Sequence, residues 1–167
     1  MQDNSKIEGH IHYQLYGELG ELKSEGFTHN LVVTEGDQWV ANKLYGGTQG
    51  AIIQMVLGTS STSPTKSDTW VNGAFANNGA AAGTAGSVAV GTVPGTLNGI
   101  RYLGTFGAGY ATQNGIAEVV LSNVAPGTAG TEPATGQILG HGLLSPTVNK
   151  GANDQLVVTY DVTFLGA

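Results

Sequence analysis

The chain has 167 residues, no cysteine, six basic and twelve acidic side chains, and a formal net charge of −6. That length suits one domain with a sizeable core, and the lack of cysteine excludes disulfides, Cys-ligated zinc and a thiol nucleophile. Charged residues make up only 11%, against roughly 25% in soluble domains. Arg101 is the only arginine, so the clustered Lys and Arg that grip phosphate backbones or anionic membranes are missing. Neither nucleic acid nor membrane is expected as a partner.

Residues Met1, Gln2, Asp3, Asn4, Ser5 and Lys6 have no apolar centre, unlike a signal peptide, and are expected to form a short arm. No apolar run approaches the roughly 18 residues of a membrane span. Glycine is in excess, at 27 residues, about twice the usual share. With abundant Ala, Thr and Ser, it implies tight turns and small surface side chains that lose little entropy in close packing.

From Ile7 to Tyr16 the chain alternates, with Ile7, Gly9, Ile11, Tyr13 and Leu15 on one face and Glu8, His10, His12 and Gln14 on the other. This predicts a strand. Gly17 to Gly20 reads as a turn, Leu22 as the start of a short return strand ended by Gly26, and Phe27 to Val33 as a second strand. Thr34 is expected to cap a helix with Asp37 in the capping-box position. Trp39, Val40 and Leu44 would form its apolar side, and Gly46-Gly47 its end. Ile52 to Leu57 suits a buried strand. A polar loop from Gly58 to Thr69 follows, anchored by Trp70 and Val71.

Residues 72 to 96 are nearly low in complexity and read as a long Gly/Ala-rich insert punctuated by Asn72-Gly73, Asn78-Gly79 and Pro94-Gly95. Ordering such a segment in an isolated chain gains little, so neighbouring molecules are expected to hold it. Ile100 to Tyr110 is a strand containing three glycines, Asn114-Gly115 a hairpin-type turn, Ile116 to Leu121 a strand, and 122 to 136 a loop. Ile138 to Leu144 is a strand broken by glycines, and 149 to 154 is turn-like. The last strand is the most regular: Leu156, Val158, Tyr160, Val162 and Phe164 alternate with Val157, Thr159, Asp161, Thr163 and Leu165. About eight strands and one short α-helix indicate an all-β, antiparallel, jelly-roll-like β-sandwich in a single domain over 1–167.

Chemistry is sparse. His10 and His12 lie on one side of a strand and could approach one metal, with Glu18, His29 or His141 as further ligands. The spacing departs from that of cupin-type metal sites, and two solvent-facing histidines are the simpler expectation. There is no Gly-x-Ser-x-Gly elbow. Asp68, Glu118 and Asp161 read as residues of turns or outer strand faces. Glycine pairs at 83/86 and 104/107 lack the Lys-Ser/Thr of a phosphate loop. Tyr102, Phe106 and Tyr110 share a face; core packing is the simpler role, and a glycan platform the alternative. No catalytic residue and no cofactor is expected.

Four segments together resemble a known group. They are Phe27–Gly36 running into a helix, Met55–Thr59 leading to Ser63-Pro64 and Ser67-Asp68-Thr69, Ile116–Leu121, and Val148–Gly151 leading to Leu156–Phe164. In this order they are similar to small virion structural proteins of tailed bacteriophages: capsid decoration (cement) proteins and fibre-like modules. The resemblance covers about 60 residues, and the insert at 72 to 96 departs from it. It implies a non-enzymatic, commonly trimeric β-sandwich on the outer capsid surface, bound to the major capsid protein or other virion proteins. The alternative is a tail or fibre module that binds a host surface glycan. The expected interface residues are the arm from Met1 to Lys6 together with Trp70 and Phe75.

Overall fold

A computed structural model describes residues 6–80, 86–134 and 137–165. Among them lie nine strands and one α-helix. The strands are β1 (Lys6–Tyr16), β2 (Leu22–Val32), β3 (Gln54–Gly58), β4 (Gly79–Ala80), β5 (Gly86–Thr92), β6 (Gly99–Phe106), β7 (Gln113–Ser122), β8 (Ile138–Lys150) and β9 (Gln155–Leu165); the helix α1 (Thr34–Leu44) follows β2. The expected all-β antiparallel fold is present. Its two halves face each other because one nine-stranded sheet, in the order β4-β3-β7-β8-β2-β1-β9-β6-β5, curls nearly into a barrel. No helix among the described residues is long and apolar enough to cross a membrane.

The inward faces are those the alternation predicts. Ile11, Tyr13 and Leu15 of β1 and Leu156, Val158, Tyr160 and Val162 of β9 are buried together with Met55, Leu57, Phe106, Ile116, Val119 and Leu121. A second, smaller core lies on the outer face of β3 and β7, where Val56 and Val120 meet Val33, Trp70, Val71 and Ile138. Both faces of β7 are therefore covered, and every residue from Ile116 to Ser122 is buried.

Several boundaries differ from expectation for local reasons. β2 is one continuous strand through Gly26. A Cβ there would collide with the Ser145 carbonyl and lie 2.5 Å from the Tyr13 ring, so glycine admits a close approach instead of ending the strand. Asn114-Gly115 is no hairpin turn but an irregularity within β7, where the pairing slips between Gln113 and Ile116 and Gly115 takes φ 70°. This is how a bulge absorbs an extra residue. β8 runs on past Leu144 to Lys150. The helix begins with Thr34 as its first residue and Val33 as its N-cap, without a side-chain cap. The Thr34 N–H donates to the Lys66 carbonyl at 2.9 Å, and Asp37 pairs with Lys66 at 2.8 Å. Trp39 and Val40 pack on the core, but Leu44 is exposed.

The segment 72–96 is more than an insert loop. It supplies β4, paired with β3, and β5, paired with β6 along seven residues from Gly86 to Thr92.

Candidate functional site

Two clusters of chemically capable side chains lie on the outer face of the sheet. In the first, neighbouring strands bring Glu118 of β7 and His141 of β8 together; His141 stands opposite Val120 in the ladder. The loop from Thr59 to Gly73 closes over them. His141 Nε2 lies 2.9 Å from Glu118 Oε2 and Nδ1 lies 2.7 Å from Asp68 Oδ2. Glu118 also accepts backbone N–H groups from Ser60 at 3.0 Å, Asn72 at 3.0 Å and Gly73 at 2.6 Å. A Cβ at position 58 would collide with this carboxylate, so Gly58 is needed to seat it. Asp68 accepts the Thr65 N–H at 2.9 Å and the Thr65 hydroxyl at 2.6 Å.

Glu118 and His141 are fully buried. Burial pushes the Glu118 carboxyl up, but the His141 bond and the three backbone N–H donors outweigh it and hold the group below the usual carboxylate range. At Asp68 burial is likewise outweighed, by Thr65 and His141. Both ring nitrogens of His141 are committed to carboxylates, so neither is free to activate a nucleophile. The cluster is a clasp that ties one loop to the sheet. Glu118 lies on the outer face of its strand as expected, but the loop from Thr59 to Gly73 covers it, so it is buried rather than in solvent. A lone carboxylate inside the apolar run Ile116–Leu121 was the signal for it.

The second cluster is a groove of about 580 Å³ lined by His10, His12, Glu25, Gly26, Phe27, Arg101, Thr159 and Asp161. Register explains its make-up. One cross-strand row is His29, His10, Asp161, Arg101; the next is Phe27, His12, Thr159, Leu103. Arg101 donates through Nε to Asp161 Oδ1 at 2.7 Å and through Nη2 to Oδ2 at 2.6 Å, a bidentate pair. His12 Nε2 stands 3.6 Å from Glu25 Oε2. The His10 ring stacks on Phe27 with centroids 5.6 Å apart and meets His29 edge-on at 4.7 Å. Phe27 remains 62% exposed, and His10 Nδ1 is closed off without a hydrogen-bond partner.

No protein-family model, no curated protein and no solved structure matches the chain.

His10 and His12 thus share a face as predicted, and His29 joins them, but the wider ligand set does not assemble. His141 is held in the clasp, and Glu18 in the β1–β2 turn accepts from Asn153 Nδ2 at 3.0 Å. Among the described residues no three His, Asp or Glu side chains are placed to hold a metal.

Tyr102, Phe106 and Tyr110 pack in or on the core, the simpler of the two expectations, and the alternative of a glycan platform is corrected. Tyr102 and Phe106 are buried in the main core, and burial pushes the Tyr102 hydroxyl up to about 12. Tyr110 is half-buried and donates its hydroxyl to the Gly79 carbonyl at 2.5 Å. Trp70 is corrected as an interface residue, being buried with its ring N–H on the Gly130 carbonyl at 2.9 Å. Phe75 packs half-buried on the core. Met1 to Ser5 lie outside the described residues, and Lys6 opens β1 opposite Leu165.

Proposed function

We propose that this protein is a non-enzymatic structural component of a tailed-phage virion. It acts as a decoration protein that binds the assembled major capsid lattice as a homotrimer on the outer surface. A ligand that binds only the assembled shell stabilises it by mass action. The observation that carries the proposal is a set of large apolar side chains held in solvent at the ends of elements. Leu97 in the β5–β6 turn, Leu19 in the β1–β2 turn, and the adjacent Leu44 and Tyr45 closing α1 are all exposed. Single exposed apolar residues are ordinary; a contiguous Leu-Tyr pair and two leucines at hairpin tips suit anchoring on a partner surface. The order of motifs in the sequence supports the same function.

Removing residues 72–96 would delete β4 and β5, so that deletion cannot separate binding from folding. The apolar tips are the better handle. Purified protein is mixed with expanded, DNA-free capsids of the encoding phage and sedimented. Saturable co-sedimentation that is lost in a Leu97→Ser or a Leu44→Ser/Tyr45→Ser variant of unchanged melting temperature is expected. Absence of co-sedimentation by the wild-type protein would overturn the proposal.

A further inference from the structure

The groove over His10, His12 and Phe27 is unexplained by capsid attachment, and its chemistry is distinctive. We propose that it is a binding site for a neutral saccharide, independently of the virion role. Its floor is one open aromatic ring. Phe27 is stacked on the His10 imidazole and meets His29 perpendicularly with centroids 6.0 Å apart, yet it keeps 62% of its surface exposed, which a ring that stacks against the C–H face of a pyranose needs.

Polar groups of both kinds surround that ring. Glu25 offers carboxylate acceptors, Thr159 a hydroxyl that both donates and accepts, and His12 a ring nitrogen. Arg101 spends Nε and one Nη2 donor on Asp161, which fixes the guanidinium and leaves its Nη1 donors for a ligand. His10 Nδ1 is buried without a hydrogen-bond partner, an unused polar atom beside the groove.

Charge selects among ligands. Arg101 is neutralised by Asp161, and Glu25 adds a negative charge, so an anion gains nothing here. A metal ion lacks three convergent ligands among the described residues. An apolar peptide would strand the carboxylates and imidazoles that ring Phe27. A polyhydroxylated ligand with one apolar face satisfies both parts of the groove, and its volume is in the range of small-molecule sites.

The test is saturation-transfer NMR on the full chain with maltotriose, cellotriose and chitotriose as neutral probes and sialyllactose as the acidic one, paired with amide shift mapping. At least one neutral trisaccharide should receive saturation and shift amides around His12, Phe27 and Thr159. Phe27→Ala should weaken that binding by about tenfold or more, and Arg101→Gln should weaken it to a smaller degree. Both side chains reach solvent, and an unchanged amide spectrum away from the groove verifies folding. No transfer to any neutral probe at millimolar concentration overturns the proposal. So does binding of sialyllactose alone, or neutral binding that Phe27→Ala leaves intact. A change in oligomer mass in Phe27→Ala, with no loss of saccharide, would make this face an interface between copies instead.

Discussion

The clasp and the groove are built from the same residue types on the same side of one sheet, yet they are opposites. In the clasp, His141, Asp68 and Glu118 meet backbone N–H groups and one another until both ring nitrogens and both carboxylates are used. In the groove, His10 lacks a partner at Nδ1, His12 stands beyond hydrogen-bond distance from Glu25, and Phe27 faces water. A loop covers the first and nothing among the described residues covers the second. Saturated polar groups under a loop stabilise; unsaturated ones beside an open aromatic ring are left to recognise something else.

The comparison is broken most forcefully at Glu118. Glu118→Ala strands three backbone N–H groups and one side of His141 in a buried setting, and should cost about 3–5 kcal/mol, read as a lowered urea midpoint. Acid should act on the same cluster. The folded-state pKa values of Glu118 and Asp68 lie below their unfolded values. Their contribution is therefore complete above about pH 5 and is lost as pH falls through the folded values. The stability gap between wild type and Glu118→Ala should narrow on acidification; a gap constant down to strongly acid pH would remove the charge from the account.

A middle-sized effect separates the main core from both clusters. Tyr160 is fully buried, and its hydroxyl accepts from Asn30 Nδ2 at 2.5 Å. Tyr160→Phe leaves that amide donor unpaired and should cost about 1–3 kcal/mol, with no change in saccharide binding. The smallest effects belong to the groove. Arg101→Gln breaks a partly exposed pair, its side chains 36% and 16% accessible, worth about 1 kcal/mol, and Phe27→Ala removes an exposed ring, within about 0.5 kcal/mol. Thermal melts of these variants should be nearly superimposable on wild type, while their ligand titrations differ.

How much of this was legible in the sequence depends on whether the cause was local. β1 and β9 follow from strict alternation, and the shared face of His10 and His12 from the same period of two. The strand through Gly26 was not legible, because the Tyr13 ring and Ser145 carbonyl that require glycine come from distant segments. β5 was hidden because its Gly, Ala, Val and Thr residues carry no strong pattern; pairing with β6 makes the strand. Tyr102 and Phe106 read as core in the first place and as a platform only as the alternative, since a strand's period assigns residues to faces without saying which face turns inward. The clasp joins positions 68, 118 and 141; each can be named singly from the sequence, but nothing there brings the three together. The groove's rows depend on the registers of four strands, which no single segment contains.

The most direct measurement is urea unfolding of Glu118→Ala and Phe27→Ala beside wild type, followed by the fluorescence of Trp39 and Trp70. A midpoint that falls sharply for Glu118→Ala and stays in place for Phe27→Ala is the predicted result. Equal losses in both variants, or none in Glu118→Ala, would contradict the division between a clasp that stabilises and a groove that recognises.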